Sequence, residues 1–289
     1  MIPPHDVGSD GMMIANARMY SVTPNVGALW RRLLEGVAGR SGLPIEVVDH
    51  RAPAPIDDLW QRPDKGAVFM CGLPFSLAEP RPYPVVAPVP APQPYRSRAC
   101  YWSEFVVRAD AAPQTLDDTY GRRIAFTTRE SQSGFVAALS HLMKSNRTPP
   151  LYREVIAPCI TPMGALKAVI EGAADVAPLD SYAFDLLRRY APELTSQVRV
   201  VDRTAPTPVP LLVASAPPNA GLVAAFLGAD RDPELKPILD GLLLERFVET
   251  PASAYDGLRQ SQAAAATFWR RHRLAETAHP AFGLGGEAS

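Results

Sequence analysis

The sequence predicts an α/β protein of two blocks, in each of which strands and helices alternate. Three observations carry this. Short apolar runs such as Ala67-Val68-Phe69-Met70-Cys71 are separated by stretches whose apolar residues recur at helical spacing. Helix-start residues follow such runs directly, at Thr23-Pro24, Ser131 and Asp180-Ser181. The chain has 289 residues, of which 47% are hydrophobic and 20% charged, enough to bury a large core and too apolar for disorder.

The elements follow in order. Met13-Ile14-Ala15-Asn16-Ala17-Arg18-Met19-Tyr20 is an apolar run ending in an aromatic. Thr23 as N-cap with Pro24 in the first turn opens a helix. Its apolar stripe is Val26, Leu29, Trp30, Leu33 and Val37, and Gly39 to Gly42 ends it. Ile45 to Val48 and Ala67 to Cys71 read as strands, the second stopped by Gly72-Leu73-Pro74. Pro74 to Pro94 holds eight prolines in 21 residues. Valines interleave with them, so an edge strand with solvent-facing prolines is expected rather than a linker. Ala99 to Val107 continues as strand.

The second block begins near Pro113. Thr115 to Asp118 is a capped turn, Gly121 to Phe126 a turn and strand, and Ser131-Gln132-Ser133-Gly134 leads into a helix carrying Phe135, Leu139 and Leu142. Val155 to Ala157 is a strand, Met163 to Ile170 a helix, Gly172 to Leu179 a turn and strand, and Asp180-Ser181 opens a helix through Leu187. Val198 to Val201 and Val209 to Ala214 are strands around the breaker Thr204 to Pro208. Helices are expected near 219–227, 234–247 and 255–271, returning to the first block, with a frayed tail from Gly283 to Ser289. The two lobes are expected to be residues 12–105 with 207–289, and 106–206 inserted between them.

Two turns stand out chemically. A helix start leaves backbone N–H groups unpaired at the positive end of the dipole, which suits an anion. Ser131, Gln132 and Ser133 offer hydroxyls and amides at such a start, and Gly134 lets the backbone approach closely; a simple helix cap is the alternative. Asp180 and Ser181 form a second strand-to-helix turn, able to hold an ammonium or hydroxyl, or again only to cap. Both turns would lie at carboxyl ends of strands, where open α/β sheets bind ligands. Tyr20, Cys71, Tyr101 and Ser103 are candidates for the opposite wall, against a core-packing alternative.

Other chemistries are poorly supported. The net charge of −1 gives no basic patch for nucleic acid. Cys71, Cys100 and Cys159 are odd in number and lack CxxC spacing, and the five histidines show no metal-ligand pattern. No nucleophile elbow, Walker loop or dinucleotide fingerprint occurs in a fitting context, so no cofactor and no metal are expected. Residues 1–20 lack the charged and apolar regions of an export signal, and no apolar run reaches membrane-spanning length.

Taken together, these segments resemble the phosphate, phosphite and phosphonate substrate-binding proteins of ABC transporters. The resemblance is carried by Ala17 to Tyr20, Cys71 to Phe75, Phe105 to Asp110, Leu116 to Phe126, Ser131 to Gly134, Gly172 to Ser181 and Pro206 to Pro210, in order over residues 14–215. It implies a two-lobed type II periplasmic-binding-protein fold with mixed, mostly parallel sheets, two crossover strands and a ligand cleft between the lobes. It places an oxyanion head group at Ser131, Gln132 and Ser133, an aromatic wall at Tyr20 and Tyr101, and the far-lobe acid at Asp180.

The expected function is capture of a small anionic ligand by a monomer for an ABC permease, with no bond made or broken. The resemblance implies the periplasm; the sequence as written, without a visible signal, points to the cytoplasm. Two alternatives remain at this stage: a cytosolic enzyme on the same fold, with Asp180 and Cys71 as candidate acid or base, and a ligand sensor.

Overall fold

A computed structural model describes residues 11–145, 147, 150–272 and 276–277. The chain opens with β1 (Met13–Asn16), α1 (Pro24–Ser41) and β2 (Ile45–Val47), and β2 pairs parallel with β1. The Thr23 hydroxyl accepts the Val26 N–H, Pro24 sits in the first turn, and Gly42 at φ 67° closes the helix in the left-handed region. Val26, Trp30, Leu33, Leu34 and Val37 are the buried stripe of α1. After α2 (Ile56–Trp60), β3 (Lys65–Met70) enters beside β1, buried along its whole length. Gly72-Leu73-Pro74 then opens a helix, α3 (Gly72–Leu77), rather than only stopping the strand. Proline is tolerated there because a first-turn N–H has no intrahelical partner.

The proline-rich segment forms β4 (Tyr83–Pro90), and here the edge-strand expectation fails. β4 lies inside the six-stranded sheet, between β12 (Leu211–Ala214) and β13 (Leu244–Val248). Each neighbouring ladder shifts register, between Leu212 and Val213 on one side and between Leu244 and Arg246 on the other. Pro84 and Pro90 sit beside those irregularities. A bulge is the place where a missing donor breaks no regular ladder bond.

The second lobe is built from β6 (Ser103–Arg108), β7 (Arg123–Ala125), α4 (Ala137–Leu142), β8 (Glu154–Ile156), α5 (Pro162–Ile170), β9 (Ala177–Asp180), α6 (Ser181–Tyr190), α7 (Pro192–Thr195) and β10 (Val198–Arg203). One sheet runs β10-β6-β9 and is antiparallel; β7 and β8 pair parallel, and an isolated bridge from Ile124 to Val176 links β7 to the approach of β9. Between the lobes β5 (Cys100–Tyr101) and β11 (Thr207–Pro208) run side by side, so the expected breaker contains a short strand of its own.

The fold class is the expected mixed α/β architecture with two crossing strands, but its sheets are not mostly parallel. Among the described residues six named strand pairings are antiparallel and four parallel. Parallel pairing survives where a helix connects the strands, as in β1-α1-β2 and β7-α4-β8. The crossing strands and the returning strands β12 and β13 run the other way.

Downstream, α8 (Ala220–Gly228) starts where a helix is expected and is capped by Asn219. Residues 234–247 are not one helix: α9 (Lys236–Gly241) gives way at Leu243, φ 55°, to β13. Helix α10 (Gly257–His272) packs on α3 and α4, and the Trp269 ring meets Phe135 edge-on at 5.0 Å. β14 (Glu276–Thr277) adds to β8; the tail from Gly283 lies outside the described residues. Among the described residues no helix is long and apolar enough to cross a membrane.

Candidate functional site

Three strand-to-helix turns meet at one place. After β7, Ser131 caps the next helix by accepting the Gly134 N–H at 2.9 Å. After β8, Thr161 caps α5 by accepting the Gly164 N–H at 3.0 Å. After β9, Asp180 caps α6, its Oδ1 accepting the Ala183 N–H at 2.9 Å. All three lie at carboxyl ends of strands, and all three line one cleft of about 290 Å³. The second lobe contributes Thr127, Ser131, Ser133, Gly134, Thr161 and Asp180; Arg18, Trp60 and Cys71 face them from the first lobe, and Tyr101 from the crossing strand β5.

The Ser131 turn is wound unusually tightly around its glycine. Gln132–Val136 form a π-helical turn, with the Val136 N–H reaching the Ser131 carbonyl at 3.0 Å, before α4 continues. A Cβ on residue 134 would stand 2.0 Å from Thr127 Oγ1 and 3.0 Å from Thr127 Cβ, so glycine alone fits. Close approach of the two segments is therefore built in by sequence.

Asp180 is the electrostatic centre. The residue is 6% exposed. Ser133 Oγ donates to Oδ2 at 3.4 Å, and the Tyr20 hydroxyl stands 3.5 Å from the same oxygen. No cation pairs with it among the described residues, so burial pushes its pKa up to about 7, against the opposing pull of those donors. The hydroxyl groups of Tyr20 and Tyr101 are held protonated by burial and by the Asp180 charge, Tyr101 also by the Cys71 thiol. Both therefore remain donors at any ordinary pH.

Six of the ten residues singled out by sequence line the cleft: Ser131, Ser133, Gly134, Asp180, Tyr101 and Cys71. The other four stand behind it. Tyr20 packs edge-on to Phe69 and Tyr182 at ring distances of 5.3 and 4.7 Å and steadies Asp180. Ser103 Oγ donates to the Ser133 carbonyl at 2.6 Å and so fixes the turn. Ser181 Oγ accepts the Trp102 N–H at 3.1 Å, an interlock of α6 with the link between β5 and β6. Gln132 is buried, its N–H 3.5 Å from Cys71 Sγ and its Oε1 without a partner.

Among the lining residues that sequence reading did not single out, Thr161, Thr127 and Arg18 bear most on the chemistry. Thr161-Pro162 is a helix start of the same kind as Thr23-Pro24, and that signal was available. Thr127 comes into view only through its contact with Gly134. Arg18, the one basic residue lining this cleft, donates to the Ala54 carbonyl, a long-range contact with no local signature. Among the described residues the buried hydroxyls of Tyr101 and Thr127 have no hydrogen-bond partner of good geometry. A buried polar group left without a partner is costly, and a ligand oxygen would remove that cost.

No cluster of three or more His, Cys, Asp or Glu side chains able to hold a metal occurs among the described residues. Burial pushes the Cys71 thiol up, and that of Cys159 up to about 12. In native protein, alkylation by iodoacetamide at neutral pH is expected at half-buried Cys100 first, with Cys71 and Cys159 reacting only on unfolding. Mass spectrometry of labelled peptides checks this; fast labelling of Cys71 would show an open, reactive cleft thiol instead.

Solved structures of similar shape share the fold at low identity. A binding-protein component of an ABC phosphonate transporter from Pseudomonas aeruginosa superposes with a TM-score of 0.74 at 16% identity, over 89% of this chain and 87% of that one. PhnD1 from Prochlorococcus marinus, in complex with methylphosphonate, gives 0.70 at 14% identity over 90% and 99%. A Xanthomonas citri protein bound to ATP gives 0.62 at 18% identity over 92% and 100%. No curated protein matches the chain. Residues 26–255 match the family model of the phosphonate ABC transporter's periplasmic substrate-binding protein, so the chain belongs to that family, a substrate-binding component of transporters and not an enzyme.

Proposed function

We propose that this chain captures a small phosphonate between its lobes and presents it to an ABC permease on the periplasmic side of the membrane. The observation that carries the reading is the convergence of three helix starts, at Ser131, Thr161 and Asp180, on a cleft whose Tyr101 and Thr127 hydroxyls lack partners of good geometry among the described residues. Backbone N–H groups and hydroxyls there form a cage of donors for a tetrahedral oxyanion without a metal. The methylphosphonate complex of the Prochlorococcus relative supports the ligand class.

Asp180 sets which form of the ligand is taken. Protonated, it donates to a ligand oxygen beside Ser133; ionised, it accepts from a ligand O–H or an ammonium group and repels a fully ionised head group. The lobes in this reading are residues 12–105 with 207–289, and 106–206. Closure turns about the paired strands β5 and β11, and the protein works as a monomer. Asp57 and Glu130 also line the cleft, which disfavours a fully ionised head group such as bare phosphate.

Isothermal titration with methylphosphonate, aminoethylphosphonate, phosphate, phosphite and sulfate tests the reading. Phosphonates are expected to bind, and Ser133→Ala to weaken them about tenfold, as for loss of one hydrogen bond to a charged group. Absence of binding by every phosphonate tried, or unchanged affinity in Ser133→Ala, contradicts it.

A further inference from the structure

Beside the cleft lies a second and larger chamber of about 480 Å³, at the start of α1 and the carboxyl ends of β1 and β2. Arg18 and Thr161 line both spaces, so the two are neighbours that share a wall. Their charges are opposite in character. The first cleft is lined by Asp57, Glu130 and Asp180 against Arg18 alone. The chamber is lined by Arg18, Arg31 and Arg51, with His50, against Asp49 alone.

The pairing of those charges leaves a surplus. Asp49 is shared, its two oxygens taking Arg31 at 2.9 Å and Arg51 at 3.2 Å. Glu35, one turn along α1, stands 3.6 Å from Arg31. Arg18 has only a carbonyl acceptor, and its half-buried guanidinium meets no carboxylate among the described residues. His50 Nε2 is engaged with the Pro55 carbonyl at 2.7 Å. A second, independent observation comes from Trp30. This residue forms part of the chamber wall and is 1% exposed, and among the described residues its indole N–H has no acceptor. An eighteen-residue helix begins at the same wall, so its dipole adds to the positive side.

We propose that the chamber is a second subsite of the ligand cleft, and that the ligand is a phosphonate carrying a second anionic group, held there by Arg18, Arg31 and the Trp30 indole N–H. This rests on the head-group reading above and adds the class of its substituent. The phosphonate end occupies the donor cage of the three helix starts, the chain passes Arg18 and Thr161, and the far carboxylate or phosphoryl group meets the arginines. An uncharged alkyl end would leave the indole N–H and Arg18 as they are.

The test compares two probes of similar length, propylphosphonate and 3-phosphonopropionate, by isothermal titration of the whole chain. 3-Phosphonopropionate is expected to bind about tenfold tighter or better, a gain set by one charge-assisted hydrogen bond. Arg31→Gln is expected to erase that preference and leave propylphosphonate binding unchanged. Because Arg31 also donates to the Val47 carbonyl at 2.7 Å, a second variant guards against misfolding. Ala28 is exposed in the second turn of α1 and lines the chamber, so Ala28→Glu adds repulsion without removing a contact; it too is expected to weaken only 3-phosphonopropionate. Equal affinity for both probes in wild type overturns the second subsite while the head-group reading stands. A preference that survives both variants places the second anion elsewhere and overturns it as well. If neither probe binds, the head-group reading fails and the subsite falls with it.

Discussion

Gly134→Ala is expected to lower stability by about 1–3 kcal/mol and to abolish methylphosphonate binding. The new methyl would stand 2.0 Å from Thr127 Oγ1 and 2.9 Å from Ser131 Oγ, inside a turn fixed on both sides. Overpacking of this kind typically costs that much. Relief requires Thr127 to move, and Thr127 is a proposed donor to the ligand, so binding and stability fail together. Gly39→Ala is the control with opposite sign. Gly39 is exposed within α1, with nothing within 4 Å of the added Cβ, and alanine there is expected to stabilise by up to about 1 kcal/mol. Thermal melts of both variants beside titration with methylphosphonate check the pair. A Gly134→Ala protein as stable and as active as wild type would remove the close-approach argument.

The second large effect is the pH dependence imposed by Asp180. Its carboxyl titrates near 7 in the folded chain and near 3.8 when unfolded. Between those values the folded state binds the extra proton, so stability falls as pH rises. The favourable contribution is complete below about pH 4 and is lost through about pH 7. Between about pH 5 and pH 8 the loss should be on the order of 3 kcal/mol. The groups facing the carboxyl, Ser133, Tyr20, Tyr101 and the Cys71 thiol, are uncharged donors throughout that range, so none of them offsets it. Asp185, also raised by burial, contributes in the same direction and is common to wild type and variant. Urea unfolding of ligand-free wild type and Asp180→Asn at the two pH values isolates the effect as the difference between them. The variant should be the more stable of the two at the higher pH; equal slopes would mean that Asp180 is ionised at low pH and paired.

The same geometry explains how far the sequence could be read. Local signals succeeded where the physics is local. Thr23-Pro24, Ser131, Asp180 and Asn219 are capping residues whose hydrogen bonds reach only two or three residues onward, and each starts a helix where expected. The Val26 to Val37 stripe declared its buried face for the same reason. Readings failed where neighbours distant in sequence decide. Nothing within Pro74 to Pro94 reveals that β12 and β13 flank β4 and absorb its prolines at bulges. Leu244 to Val248 has a helix-like composition and becomes a strand because β4 offers it an edge.

The candidate site divides along the same line. Residues at the turns themselves were visible, since a serine or an aspartate that caps a helix also marks a strand's carboxyl end, where open sheets bind ligands. Arg18 and Thr127 were not, because their place depends on Ala54 and on Gly134 across the fold. Tyr20, Ser103 and Ser181 were singled out as ligand contacts, but the fold places them behind the cleft, beside Asp180 and the Ser133 turn.

A crystal structure of the chain soaked or co-crystallised with methylphosphonate tests the central claim most directly. Phosphonate oxygens are expected within hydrogen-bond distance of Ser133 Oγ, the Tyr101 hydroxyl and backbone N–H groups at the Ser131 helix start, with Asp180 facing the head group. Methylphosphonate bound away from the three helix starts, or an empty cleft at saturating ligand, would contradict the account.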